Sequence, residues 1–264
     1  MARTSPPPQP KTAWRWAFAG VVLGVFIALV LFAPARWLAS AVAQASDDRI
    51  VLSEPRGTVW NGSAMMLLTG GAGSTEPTAL PSPLQWRVGP RWNGLAVQLE
   101  SYCCTQQPLA VREAPRWGGA RLTFADRQSH WPAAMLAGLG TPWNTLQFDG
   151  DLRLDTQGLS VESIAGRLAI SGRAEVTAQR LSSRLSTLRP MGSYRITVSG
   201  GQAPTLQLET LEGSLNLSGT GQWVGSRLRF SGVATAAPDR ESALSNLLNI
   251  IGRREGARSI ITIG

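Results

Sequence analysis

Hydrophobic residues follow two patterns along this chain, a continuous block near the start and an alternation with polar residues afterwards. The block, Ala17–Ala33, contains no charged or strongly hydrogen-bonding side chain. A helix needs about 20 apolar residues to cross the roughly 30 Å hydrocarbon core of a membrane. Trp16 at one end and Pro34-Ala35 at the other extend the block to that length. The pattern therefore predicts a transmembrane helix over residues 16–35.

The charges on the two sides of the predicted span give its orientation. Arg3, Lys11 and Arg15 precede the span, and the first acidic residues of the chain are Asp47 and Asp48 beyond it. Basic residues are retained on the cytoplasmic side of a membrane. We therefore expect a cytoplasmic proline-rich tail over residues 1–15, a helical stalk over 36–48 and a β-rich domain on the far side of the membrane over 49–264.

A cleaved signal peptide is the alternative to this anchor. Ala41-Val42-Ala43 and Ala43-Gln44-Ala45 both match the small-residue pattern of a signal-peptidase site. The apolar block is longer than the roughly 7–15 residues of a secretory signal, and cleavage normally follows such a signal closely. The alanine sites lie well beyond the block, so the pattern favours an uncleaved anchor.

Beyond residue 49 apolar and polar residues alternate with period two, which is typical of half-buried strands. From Leu146 the alternation is nearly continuous, which indicates an antiparallel meander. We expect residues from about 145 to 235 to form one antiparallel sheet with one buried face and one wet face. The other predicted strands are Ile50–Leu52, Met65–Leu68, Leu84–Val88, Leu95–Glu100, Leu109–Arg112, Ala120–Phe124 and Ser259–Ile263.

Glycines locate the predicted turns. Asn61-Gly62 between two apolar runs predicts a two-residue hairpin turn, because both central residues of a type I′ turn need positive φ. Gly166 and Gly172, inside predicted strands, suggest bulges and curvature. The strands of the second half are expected to be separated at Asp149-Gly150, Gln157-Gly158, Gly200-Gly201, Glu212-Gly213 and Gly219–Gly221.

Two short helices are predicted outside the membrane span. Trp131–Leu139 has apolar residues that do not alternate, and Ser129 is its candidate N-cap. Ala243–Ile251 follows two candidate N-caps, Asp239 and Ser242. The predicted fold is therefore mainly β, with an N-terminal transmembrane helix followed by a curved antiparallel β-meander domain that carries one or two short helices.

The charge balance excludes nucleic acid as a partner. The chain carries a formal net charge of +8. Four of the 25 basic residues precede residue 47, which leaves 21 against 17 acidic residues in the rest of the chain. This small excess is spread along the sequence, without the basic clusters and interleaved aromatic residues of a strand-binding groove.

The residues with catalytic chemistry are few. His130 is the only histidine, which excludes a metal site built from several histidines, and there is no Gly-x-Ser-x-Gly nucleophile motif. Asp149 and Asp151 flank a glycine, where turn and solvent-facing roles are more common than acid–base work. We therefore predict no catalytic, cofactor-binding or metal-binding residue and no enzyme activity.

Cys103 and Cys104 are the only cysteines. Adjacent Cα atoms lie about 3.8 Å apart, below the usual disulfide range of about 4.4–6.8 Å. In an oxidising compartment thiols usually find a partner. A strained disulfide between the two neighbours is the favoured interpretation, and free thiols or a link to another chain remain open.

Tryptophan is abundant, with ten residues in the chain. Trp60, Trp86, Trp92 and Trp117 fall in the first strand-rich half. Strand tryptophans usually fill the core of a sheet or cover its edge. We expect that role here, with a stacking platform for sugars as the alternative.

The order of these segments resembles the type II secretion system protein N family, the general secretion pathway N protein of Gram-negative bacteria. The resemblance spans nearly the whole chain, and it depends on the combination of motifs more than on any one of them. After the anchor, the motifs that carry it are Gly57–Gly62, Leu84–Trp86, Gly140–Leu146, Gly192–Tyr194, Leu211–Gly219, Gly221–Trp223, Ala243–Arg254 and Ile260–Gly264.

The resemblance implies a single-pass protein of the inner membrane, with a cytoplasmic N-terminus and a periplasmic β-rich domain. It implies an accessory component of the type II secretion machinery that binds other secretion-system envelope proteins and has no enzyme activity or cofactor. A weaker likeness to AsmA-type envelope proteins gives the alternative function, a β-groove that holds lipid or another hydrophobic molecule. The Cys103-Cys104 pair belongs to neither pattern.

Overall fold

One large antiparallel sheet forms most of the protein. The computed structural model describes residues 13–71, 77–164, 167–225 and 227–264. The helices are α1 (Ala13–Leu31), α2 (Ala35–Ala45), α3 (Trp143–Leu146) and α4 (Glu241–Ile251), and there is one 3-10 helix (Ala133–Leu139). The strands are β1 (Ile50–Gly57), β2 (Asn61–Leu68), β3 (Thr78–Ala79), β4 (Leu84–Arg91), β5 (Gly94–Ser101), β6 (Leu109–Arg116), β7 (Gly119–Phe124), β8 (Gln128–Pro132), β9 (Phe148–Ile164), β10 (Arg167–Ser183), β11 (Gly192–Ser199), β12 (Thr205–Gly213), β13 (Leu215–Val224), β14 (Arg227–Ala236), β15 (Arg253–Glu255) and β16 (Arg258–Ile263).

Strands that are neighbours in sequence are mostly neighbours in the sheet. Its order is β1-β2-β4-β5-β6-β7-β9-β10-β11-β12-β13-β14-β16-β15, with β3 beside β2 and β8 beside β9. From β9 to β14 each strand pairs with the next one in antiparallel register. The predicted class, a curved antiparallel β-meander after an apolar N-terminal helix, is confirmed.

The two faces of this sheet differ in chemistry, because residues directly opposite each other on paired strands share a face. On one face apolar residues follow one another from strand to strand, as in the row formed by Ile196, Leu208 and its partner Gly219. On the other face Arg195 makes ion pairs with Glu175 and Glu209, at 3.0 and 3.1 Å. We call these the apolar face and the polar face. The prediction of one wet face is therefore confirmed.

Helices cover the apolar face near the first and the last strands of the sheet. α2 packs its Ala35 and Leu38 against a cluster that contains Leu52, Leu84 and Trp86. Near the last strands, α4 contributes three fully buried leucines to the largest core cluster. The cluster contains Ala133, Leu146, Leu181, Met191, Tyr194, Leu215, Ala234, Leu244, Leu247 and Leu248.

Tyr194 brings the only titratable side chain into this core cluster. Its hydroxyl donates a hydrogen bond to the carbonyl oxygen of Leu215 at 3.1 Å. Burial raises the pKa of the Tyr194 phenol above its ordinary value, because the charged phenolate would lose its hydration. The hydroxyl therefore remains a donor and ties β11 to the start of β13.

Two predicted turns are bulges inside β9. Gly150 and Gly158 have positive φ, 140° and 56°, and the pairing with β10 shifts register beside each of them. The turns predicted at Asp149-Gly150 and Gln157-Gly158 are therefore wrong, because these glycines bend one 17-residue strand without reversing it. Gly172, at φ 79°, lies opposite the second shift, as expected for a bulge. Gly166 lies outside the described residues.

The predicted break at Gly219–Gly221 is also wrong, since these residues lie inside β13. A Cβ on Gly221 would lie 3.2 Å from Cδ2 of Phe230, and one on Gly232 would lie 2.9 Å from its Cε1. The Phe230 ring thus lies over neighbouring glycines on the apolar face. These glycines make room for an aromatic ring and do not mark a turn.

Both predicted helices differ in detail from the structure. Trp131 lies in β8, and the helix that follows is a 3-10 helix that starts at Ala133. Ser129 is not a cap: it is a buried strand residue whose hydroxyl accepts a bond from Trp131 Nε1 at 2.9 Å. α4 begins after Arg240, without a side-chain cap, so neither Asp239 nor Ser242 caps it.

The N-terminal helix ends before the predicted boundary. α1 stops at Leu31, and Pro34 forms an isolated β-bridge with Thr58 before α2 begins. The segment Trp14–Leu31 is long and apolar enough to cross a membrane, and none of it is buried in the protein. The predicted stalk is helical, but it packs on the sheet and does not stand free. Residues 1–12 of the predicted tail lie outside the described residues.

We predict that Leu208→Asp destabilises the sheet far more than Gln207→Asp. Leu208 is half-buried on the apolar face opposite Gly219, whereas Gln207 is exposed on the polar face opposite Thr220. A carboxylate in place of a leucine at the core should lower the free energy of unfolding by roughly 2–4 kcal/mol. An exposed substitution should change it by about 0.5 kcal/mol or less. Thermal melts of the two full-length variants measure the difference, and equal melting temperatures would contradict the one-sided sheet.

Candidate interaction surfaces

The turn between β1 and β2 contacts the end of α1. Nε1 of Trp60 donates a hydrogen bond to the carbonyl oxygen of Val30 at 2.7 Å. The backbone N–H of Val59 donates to the carbonyl oxygen of Ala33 at 2.8 Å. This turn therefore fixes one end of the sheet, which we call the anchor end, beside the last turn of the apolar helix.

The position of this turn differs from that of the predicted hairpin turn. The strands do reverse here, but Asn61 and Gly62 already belong to β2, and the reversal occurs at Thr58–Trp60. Thr58 closes it, since its N–H donates to the carbonyl oxygen of Asn61 at 2.9 Å. A Cβ on Gly62 would lie 2.5 Å from Cζ2 of Trp86. Gly62 is thus required for close packing with an aromatic ring and not for a turn.

Two more hairpins end on the anchor side of the sheet, and each carries an exposed tryptophan at its tip. Trp92 follows β4 and is 96% exposed, and Trp117 follows β6 and is 100% exposed. The expectation that these side chains cover the sheet is therefore wrong for both, although it holds for Trp86, which is 3% exposed. The motifs Trp92-Asn93-Gly94 and Trp117-Gly118-Gly119 indicate exposed hairpin tips, because turn residues directly follow each tryptophan.

The apolar face is left partly open between the areas that α2 and α4 cover. Leu95 and Leu122 are 36% and 37% exposed there. Val97, Val111 and Phe124 form a row of cross-strand partners beside them, and they are half-buried. We call these five side chains on β5, β6 and β7 the open strip.

One carboxylate lies inside the open strip. Glu113 is the cross-strand partner of both Leu95 and Leu122, so it shares their face of the sheet. It is half-buried. No arginine lies within 4.0 Å of its carboxylate among the residues that the structure describes. The strip therefore offers apolar contact around a single negative charge.

The two edges of the sheet are poorly suited to pairing with another strand. β1 carries Pro55, which has no N–H, and its pairing with β2 shifts register between Ser53 and Arg56. β15 is three residues long, and all of them are charged. Bulges, proline and charge are the usual protections of a sheet edge. The β1 edge, and the part of the other edge that β15 covers at Arg258–Ile260, are thus less available than the open strip.

The remaining candidate residues lie apart from one another. His130 is half-buried in β8 opposite Arg153. Asp149 and Asp151 are exposed in β9, where Oδ2 of Asp151 accepts a hydrogen bond from Arg180 at 3.2 Å. The structure brings none of these three side chains together into a cluster.

A comparison with models of protein families identifies the family of this chain. The family model described as type II secretion system (T2SS), protein N, matches residues 48–261. The chain belongs to this family. The protein N match covers the sheet from just before β1 to within β16, so every surface described above falls inside it. No curated protein and no solved structure matches the chain in the corresponding comparisons.

Family membership makes the chain a component of type II secretion, as the motifs implied. The two hairpins that carry Trp92, Trp117 and Glu113 lie in the first half of the matched region. Composition and periodicity placed these strands in the sequence. They could not show which side chains the helices would leave uncovered.

The two cysteines lie in the turn that follows β5. Their sulfur atoms are bonded, and their Cα atoms are 3.7 Å apart. Cys104 is buried beside Leu80 and Met135, whereas Cys103 is exposed. The disulfide thus joins a buried side chain to an exposed side chain of the neighbouring residue.

We predict that this disulfide is present in the protein isolated without reductant. The intact mass should then rise by two hydrogen atoms after reduction, and alkylation should label both cysteines only after reduction. A Cys103→Ser, Cys104→Ser variant is the control, because its mass should not respond to reductant. Alkylation of both thiols before reduction, or a reducible dimer on a gel, would contradict the prediction.

Proposed function

We propose that this protein is a single-pass inner-membrane protein with a cytoplasmic N-terminus and a periplasmic domain. In this role it acts as an accessory part of the type II secretion machinery. The charge distribution supports the orientation, since basic residues precede α1 and acidic residues occur only after it. The hydrogen bonds of Trp60 and Val59 to the end of α1 support a sheet held directly at the membrane surface.

We expect the protein to act by binding another envelope component of the machinery through the open strip. The observation that carries this proposal is the uncovered part of the apolar face, which lies between two helix-covered regions. A soluble domain gains free energy when such surface is buried, by about 25 cal/mol for each Å² of apolar area. A partner protein would supply the cover that the chain's own helices do not provide.

Glu113 gives this partner a chemical character. A half-buried carboxylate without a cation is costly to desolvate further. An apolar partner surface that also carries an arginine or lysine would bury the strip and pair with the carboxylate. An acyl chain could cover the leucines but could not pair with Glu113. The strip therefore favours a protein partner over a lipid.

The proposal includes no catalytic step. The side chains with reactive groups are dispersed among the described residues, and the surface that the geometry singles out is apolar. The expected role is positional, holding another component of the secretion machinery beside the membrane.

We predict that a photoreactive residue at Val97 crosslinks to another secretion component in cells that make the whole machinery. The matched control is the same residue at Gln98, which is the next position of β5 and faces the polar side. Crosslinking from Val97 alone is the expected result, because only that side chain lies in the strip. Equal products from both positions, or none from Val97, would contradict the proposal.

A charge reversal adds an independent measure in the same cells. Glu113→Lys should remove the crosslink and reduce the amount of secreted substrate, because the partner's cation would face a like charge. Glu100→Lys is the control, since Glu100 is exposed on the polar face of the neighbouring strand. The same loss from both variants would argue against a specific role for the strip.

The alternative function is that of an envelope protein that holds lipid or another hydrophobic molecule on this face. The exposure of Leu95 and Leu122 favours it, because an acyl chain could cover them. Extraction of the purified full-length protein with organic solvent separates the two functions. Stoichiometric lipid that is lost in a Leu95→Ser, Leu122→Ser variant would support the groove and count against the protein partner.

We predict that a reporter enzyme that is active only outside the cytoplasm will be active when fused after Gly264. An active reporter and an intact N-terminus together indicate a retained anchor with a periplasmic domain. A silent reporter on a well-expressed fusion would reverse the orientation. A mature N-terminus at Gln44 or Ser46 would replace the anchor with a cleaved signal peptide.

A further inference from the structure

Trp92 and Trp117 are the two most exposed tryptophans of the described chain. Indole rings carry a large apolar surface, and leaving two of them in water at adjacent hairpin tips is costly. Tryptophan prefers the interface between a membrane and water, where its ring is in apolar surroundings and its N–H remains hydrated. The position of these two rings relative to α1 therefore matters.

The cross-strand register places both rings beyond the same row of paired residues at the anchor end. The last described pair of β5 and β6 at the anchor end is Leu95 with Glu113. Leu95 also pairs with Pro90, so Trp92 lies two residues beyond this row, whereas Trp117 lies four residues beyond Glu113. Strands in a sheet are about 4.8 Å apart, so these two hairpins are neighbours about 10 Å apart. Their tips form one projecting pair.

The pair projects beyond the contact between the sheet and α1. Asn61, just after the turn that touches Val30, is the partner of Arg87 on β4. Trp92 lies five residues beyond Arg87, or roughly 16 Å further along the strand direction. The turn itself already lies at the level of the last apolar turn of α1. The two hairpins therefore end on the anchor side of the sheet, beyond the level at which the sheet contacts α1.

The charges around the tips complement an anionic surface. Arg91 directly precedes Trp92, and Arg116 directly precedes Trp117. Arg116 contacts Glu162 at 3.5 Å, whereas Arg91 and its neighbour Arg87 have no acidic group within 4.0 Å in the described part of the chain. A guanidinium beside a ring suits the boundary between phosphate groups and acyl chains.

We propose that the Trp92 and Trp117 tips insert into the interfacial layer of the membrane that α1 crosses, and that Arg87 and Arg91 bind phosphate groups of anionic lipids there. This inference rests on the proposed role of α1 as a retained anchor. The tips then form a second attachment, which fixes the direction of the sheet relative to the membrane.

Fluorescence quenching tests the insertion in the full-length protein, reconstituted in nanodiscs that contain phosphatidylglycerol and phosphatidylethanolamine. The signal of one ring is the difference between the unmodified protein and its Trp→Phe variant at that position. Both rings are almost fully exposed in the structure, so Trp92→Phe and Trp117→Phe should leave the thermal midpoint unchanged. Trp143→Phe is the matched control, because Trp143 is 38% exposed at the opposite end of the sheet.

Bromine on the acyl chains should remove most of the Trp92 and Trp117 signals and leave the Trp143 signal intact. Iodide in the water should do the reverse. If the Trp92 and Trp117 signals respond as Trp143 does, the tips point into water and the inference is overturned. This result would leave the crosslinking test of the open strip unaffected, because the nanodiscs contain no secretion partner.

Lipid charge tests the arginines separately. Replacing phosphatidylglycerol by a zwitterionic lipid, or making Arg87→Gln and Arg91→Gln together, should reduce the quenching by bromine. Arg240→Gln, an exposed change at the start of α4, should not reduce it. Equal quenching under all these conditions would overturn the binding of lipid phosphate by Arg87 and Arg91.

Discussion

The backbone pairing of β9 is the interaction on which the rest of the sheet depends. One edge of this 17-residue strand pairs with β10 along most of its length. The other edge is shared, with Asp151–Asp155 pairing with β8 and Ser160–Ile164 pairing with β7. The first half of the domain therefore attaches to the second through β9 alone among the described strands. A slip of one residue in this strand would turn its apolar side chains to the wrong face.

The division into two faces follows from that register and separates two roles. On the polar face Glu162 forms an ion pair with Arg121 at 2.8 Å, and Arg195 forms another with Glu175. Ion pairs in a hydrated setting add little to stability, but they keep this face soluble. The apolar face supplies the stability where helices cover it. Where they do not, around Val97 and Val111, it leaves the surface that we propose for recognition.

Most strands of the domain could be predicted from the sequence, because period-two alternation reports directly which residues share a face. The turns were less predictable, since a glycine has several structural uses. Gly158 lies in a bulge and Gly221 makes room for Phe230, whereas Gly200-Gly201 and Glu212-Gly213 lie where strands end, as expected. Alternation within one strand cannot distinguish these uses, which depend on the neighbouring strand.

The candidate interaction surfaces also depend on which neighbouring elements cover a residue, and the sequence of one strand does not show this. Trp86 and Trp92 lie six residues apart in sequence, yet one is buried and the other is almost fully exposed. The difference arises because β4 extends past the end of β2, so that Trp92 has no neighbour to cover it. The packing of α2 on the cluster that contains Trp86 could not be predicted either. The alanines and the leucine of α2 are equally compatible with a helix that stands free of the sheet.

The packing of α2 on the sheet limits how far the domain can reach. A free stalk of 11 residues would carry the domain about 16 Å from the membrane, and a flexible one would let it swing through a hemisphere. Instead, the helix folds back along β1 and β2, and the bridge between Pro34 and Thr58 closes the junction. These contacts hold the sheet directly against the end of α1. In the proposed membrane-anchored role, a partner that binds the open strip is therefore met beside the membrane and not at a distance from it.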